Sequence, residues 1–236
     1  MFHKKTLCTL AMFLFLGLSG LTSVHSQTGD VATFVDLGFS PDGRTYMFAQ
    51  YGVQAASLRP WADLFIVDVS RNSFVSGGRV SYVHDFPVLA GHDGSGALYQ
   101  VLSRNAALAE RHSINYSFQG QPLFIALGDW SPYTPVEFRN FETGDFFRAN
   151  LVSSIEASGT SLRSSFFINL ERISADGSRS TYTVGSPHFQ RPNISSYRIR
   201  QVLIAPRDGS MIFVIEMKRQ EGTRSNIRYM VEALRL

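Results

Sequence analysis

Apolar and polar positions alternate from Ala32 to Phe39, stop at Ser40-Pro41-Asp42-Gly43, and resume from Thr45 to Val53. Side chains of a strand point to opposite faces with a period of two, so the pattern predicts two strands. Between them, Pro presets φ for a turn, Asp tolerates the next position, and Gly accepts the left-handed conformation that re-enters the ladder, which predicts a β-hairpin. A third run, Leu64-Phe65-Ile66-Val67 between Asp63 and Asp68, is continuously apolar and predicts a strand buried on both faces. The C-terminus repeats the plan: a strand from Tyr197 to Ile204, a turn at Ala205-Pro206-Arg207-Asp208-Gly209, a returning strand from Met211 to Met217, a polar loop from Gln220 to Asn226, and a strand from Arg228 to Leu234. Residues 33–70 and 197–236 therefore read as two three-stranded meanders, which either share a sheet or face each other.

A further hairpin is predicted between them, Phe166 to Ser174 and Ser180 to Val184 around Ala175-Asp176-Gly177. These turns resemble those of TolB-like β-propeller blades, where an apolar strand runs into Ser-Pro-Asp-Gly. A propeller needs a fixed repeat, however, and the turn aspartates Asp42, Asp176 and Asp208 lie 134 and 32 residues apart. From Ser95 to Arg111 the period changes: Ala97, Leu98, Val101, Leu102, Leu108 and Ala109 are apolar with polar residues between them. That spacing predicts one amphipathic helix. The expected fold class is mainly β: antiparallel meanders in propeller-like or sandwich-like sheets, with one packed amphipathic helix near residues 95–111.

The first 26 residues stand apart. A short basic start holding Lys4 and Lys5 precedes an uncharged apolar run to Leu21, and the small residues Val24 and Ser26 sit three and one before Gln27. This is the pattern of a secretory signal peptide cut before Gln27. The run is shorter than a spanning helix and is interrupted by Gly17, Ser19 and Gly20. Residues 27–236 then form a single β-rich domain, exported to the periplasm or secreted, with no later transmembrane segment. Cleavage removes Cys8, leaving 210 residues without cysteine, so neither a disulfide nor a thiolate ligand or nucleophile is available. Stability must come from burial, which nineteen Phe and nine Tyr in the full chain can supply. The removed segment carries two lysines and no acid, so the net charge of +3 falls to +1 and gives no reason to expect nucleic acid.

Three segments, FVDLGFSPDGRTYMFAQYGV, LFIVDVSRNSFVSGG and YRIRQVLIAPRDGSMIFVIE followed by RYMVEAL, resemble an uncharacterised family of predicted secreted bacterial proteins. The resemblance covers most of the mature chain and rests on strand and turn patterns. It implies secretion and supplies no activity, ligand or catalytic residue.

Four constellations carry candidate chemistry. His84-Asp85 and His92-Asp93 repeat a dipeptide suited to a divalent metal or to a His oriented by Asp, although the spacing matches no metal motif and a polar loop explains it equally. Gly91-His92-Asp93-Gly94-Ser95-Gly96 leads into the predicted helix, where backbone N–H groups can hold an anion, or where Asp93 or Ser95 simply caps the helix. Residues 191–236 hold nine basic side chains against four acidic ones, and Arg198 and Arg200 alternate on one strand, which predicts a basic face. Trp130 and Tyr133, in the Pro-stiffened segment 128–135, suit an aromatic platform.

Two functional classes follow. One is an exported non-catalytic domain that binds an envelope polymer or a protein through Arg198 and Arg200 or through Trp130 and Tyr133. The alternative is an envelope hydrolase using the His84-Asp85/His92-Asp93 loop. No cofactor is expected for the first.

Overall fold

A computed structural model describes residues 28–128, 135–158 and 161–236. The segment 1–26 expected to be a signal peptide, Trp130 and Tyr133 lie outside the described residues. Three β-sheets account for most of the chain. In the first, β2 (Thr33–Phe39), β3 (Thr45–Val53), β4 (Pro60–Asp68) and β5 (Ser73–Val83) run as a sequential antiparallel meander. The second has the order β1-β13-β12-β11-β6, with β1 at Thr28–Val31, β6 at Gln121–Ile125, β11 at Ile194–Ile204, β12 at Met211–Glu221 and β13 at Arg224–Leu234. Among the described strands only β1 pairs in parallel, against β13. The third has the order β10-β9-β8-β7, with β7 at Val136–Arg139, β8 at Phe146–Ser158, β9 at Ser161–Ile173 and β10 at Arg179–Pro192.

Alternation explains how these sheets stack. On β12, Met211, Phe213 and Ile215 face the third sheet, where Phe147, Ala149, Phe166, Ile168 and Leu170 meet them. The intervening Ile212 and Val214 face the first sheet and pack with Tyr46, Phe48, Trp61 and Val67. The second sheet is thus covered on both faces and forms the centre of the molecule. β4 is likewise buried on both faces, because Ala62, Leu64 and Ile66 point away from the centre and lie under the helices with Ala97, Leu98 and Val101. The two terminal meanders face each other across this interface; they do not share a sheet.

The three expected turns form. Gly43 donates to the Ser40 carbonyl at 2.9 Å, and Asp42 accepts from Ser40 Oγ at 2.7 Å and from the Arg44 N–H at 3.1 Å. Asp208 and Asp176 accept in the same way from the N–H groups of Ser210 and Ser178. Gly43 and Gly209 both adopt φ of +70°, a conformation that glycine reaches without strain. The likeness to propeller blades goes no further than this turn chemistry.

Three expectations need correction. The predicted single helix is two, α1 (Ser95–Arg104) and α2 (Ala106–Arg111). Asn105 separates them, its side-chain amide donating back to the Val101 carbonyl at 2.7 Å in competition with the helical ladder. The expected loop from Gln220 to Asn226 is a tight hairpin, since Glu221 already pairs with Arg224. The middle hairpin is also longer than its apolar pattern, β9 and β10 spanning 13 and 14 residues. No helix among the described residues is long and apolar enough to cross a membrane.

Candidate functional site

The three sheets meet along the outer edge of β13, and there they leave a groove of about 700 Å³. Met230 to Leu234 of β13 and the following Arg235 line its floor, the β4–β5 turn and the start of β5 from Ser70 to Phe74 form one wall, and β10 forms the other. The β10 wall is shaped by a break in register. Ser186 pairs with Phe166 and Arg191 with Ser164, so residues 187–190 bulge out of the ladder. The bulge carries Phe189, 61% exposed, opposite Phe74, 42% exposed.

A polar chain crosses the floor. Glu232 is only 5% exposed. Arg191 donates to its Oε1 at 3.1 Å and Asn72 to its Oε2 at 2.5 Å. Asn72 also accepts the Ala233 N–H at 2.7 Å, taking the place of a neighbouring strand at the β13 edge. The Arg191 guanidinium lies 4.5 Å and 4.8 Å from the ring centroids of Phe166 and Phe189. Side chains from β10, β13 and the β4–β5 turn are therefore locked into the same network. Burial pushes the Glu232 carboxyl above the ordinary range, against the hydrogen bond from Asn72 and the charge of Arg191. Both carboxylate oxygens are occupied, and among the described lining residues Glu232 is the one carboxylate. The arrangement supplies shape, aromatic edges and an internally paired charge.

A family description matches residues 47–235 of this chain: predicted secreted protein, DUF2259. The chain belongs to this family. The protein is thus exported, as its N-terminal pattern implies, and the family description carries no activity. No curated protein matches the sequence.

The sequence-selected residues fall elsewhere. Arg198 and Arg200 do share a face, as their alternation requires, but that face is turned into the molecule. Arg198 is 6% exposed and lies 3.0 Å from Glu216 Oε1. Arg200 reaches Glu216 Oε2 at 3.7 Å and donates to the Ala126 carbonyl. Tyr229 donates to the same carboxylate at 3.2 Å, and burial beside Glu216 pushes its hydroxyl up to about 12. Arg198 thus sits in a buried ion-pair cluster between the first and central sheets.

The His–Asp pairs each find local partners. His84 Nδ1 lies 3.0 Å from the Tyr82 hydroxyl, and Asp85 lies 3.9 Å from Arg59. Asp93 accepts from the Ser95 N–H at 3.2 Å and from its Oγ at 2.7 Å, which holds its carboxyl below the usual range. Among the described residues no three His, Cys, Asp or Glu side chains are placed to share a metal ion. In the Gly-rich segment, Gly94 caps α1 without a side-chain hydrogen bond. A Cβ there would lie 2.2 Å from the Gly52 carbonyl oxygen, so close packing against β3 requires that glycine.

The groove as a site escaped the sequence reading. Asn72 and Arg191 sit in turn and bulge segments without periodicity. Glu232 left one trace: a lone acid at the alternate position between Met230 and Leu234.

Proposed function

We propose that the protein is an exported, non-catalytic binding domain, and that the β13 groove receives a component of the cell envelope or a protein partner. The observation that carries this reading is the pair of exposed rings, Phe74 and Phe189, flanking a concavity whose charged floor is already internally satisfied. Concave sites of several hundred Å³, with apolar walls and few fixed polar groups, are the usual form of ligand pockets. Aromatic anchors at such a site carry most of the binding free energy. The hydrolase reading has less behind it, because His84 and Asp93 are engaged with Tyr82 and Ser95.

The test is co-sedimentation of the mature protein with isolated envelope material. Replacing Phe74 and Phe189 together by Ala should lower retention about tenfold or more, as expected for loss of anchors worth over 1 kcal/mol each. Both rings are exposed, so the fold should survive. Retention equal to that of the unaltered protein would remove the groove from the account.

A further inference from the structure

We propose that the outer face of the third sheet is a second binding surface, and that its ligand is a neutral oligosaccharide. The inner face of this sheet is spent on the core, through Phe147, Ala149, Phe166, Ile168 and Leu170. The alternate residues face outward, and the strand register arranges them in rows. Asn150 pairs with Asn169, and Asn169 with Thr183. The neighbouring row is Arg148, Glu171 and Thr181, and the row on the other side is Val152, Phe167 and Gly185. The first two rows line a shallow concavity of about 510 Å³. With strands about 4.8 Å apart and alternate residues about 6.7 Å apart, the three rows cover roughly 10 by 13 Å.

Three properties of this patch select the ligand. First, its charges are committed: Arg148 lies 3.6 Å from Glu137, and Arg179 lies 2.5 Å from Glu171. The patch therefore offers hydrogen bonds without a net field, which suits a neutral ligand better than an anionic polymer. Second, Asn150 and Asn169 are exposed in mid-strand, and their side-chain amides bond to no other described residue. Asn is depleted in strands, and threonine would keep the same solvated face with a better strand former. Each amide brings two donors and an acceptor oxygen, and Thr181 and Thr183 add hydroxyls that serve as either. Third, the adjoining row is apolar. Half-buried Phe167 stands between Gly185, which brings no side chain, and Val152. A sugar ring presents hydroxyls at its rim and C–H groups on its faces, so an amide row beside an aromatic step matches both parts of one ring.

Calorimetric titration of the mature protein with maltohexaose, cellohexaose and chitohexaose, and with polygalacturonate as an anionic comparator, tests the proposal. At least one neutral probe should bind. Asn150→Ala combined with Asn169→Ala should weaken that binding tenfold or more, with an unchanged melting temperature. Thr181→Val alone, in the neighbouring row and away from the groove, should weaken it measurably and provides a milder check. The Phe74→Ala, Phe189→Ala protein should bind the sugar as the unaltered protein does, which separates this surface from the groove. Failure of all three neutral probes, binding of polygalacturonate alone, or equal affinity in the Asn variants would overturn the assignment.

Discussion

Glu232 and Arg198 are both charged residues on apolar strands, and what each touches decides its meaning. Arg198 is matched by Glu216, itself a lone acid in the run from Met211 to Met217, and the two pair directly across β11 and β12. Such a pair specifies register and leaves no free charge for a ligand. Alternation along the strand was enough to place Arg198 and Arg200 together; which sheet would cover them is not written in a period of two. Glu232 is different, because its carboxyl is raised by burial while it faces a groove. A raised acid binds its proton more tightly in the fold than in the unfolded chain. Its charged form therefore costs nothing below the unfolded value of 4.5, and stability is lost as pH rises through the raised native value. Glu232→Gln removes that titration. Denaturant unfolding near pH 4 and near pH 7 should show the variant gaining on the unaltered protein at the higher pH. A constant difference, or a gain at the lower pH, would mean that burial does not dominate at Glu232.

Elements were legible where periodicity and turn chemistry agreed. The Pro41-Asp42-Gly43 and Arg207-Asp208-Gly209 turns are the clearest instances, and their two hairpins lie side by side in facing sheets. A Cβ on Gly43 would sit 2.6 Å from the Asp208 carboxylate, whereas one on Gly209 would meet nothing within 4 Å. Gly209→Val should thus cost about 1–2 kcal/mol from backbone strain alone, and Gly43→Val should cost more. Thermal or denaturant unfolding measures both; equal losses, or none, would mean that the turn contact is unimportant. Other strands carried weaker signals for physical reasons. β5 is interrupted by Gly77 and Gly78, and β6 contains Pro122, which an edge strand of the central sheet tolerates because one side makes no ladder bonds. The ends of β8 and β9 project with exposed residues, so no apolar alternation marks their length.

At the scale of the whole molecule, the sequence gives two meanders and no rule for assembling them. The central sheet draws β1 from the start of the described chain, β6 from the middle and β11 to β13 from the end. Only long-range pairing decides that β13 has an uncovered edge beyond β1, and that edge creates the groove. Its residues come from the β4–β5 turn, the β10 bulge and the last strand, three places with no common pattern. The fold class was therefore accessible from alternation, while the groove depends on how the sheets meet. The central claim, that the exported protein takes its ligand in this groove, is tested most directly by site-specific photo-crosslinking in the producing cell. A crosslinker at position 189 should yield discrete adducts with envelope material, and one at Tyr99, exposed on α1 and 69% accessible, should not. Adducts that appear equally from both positions, or only from position 99, would contradict the groove as the binding site.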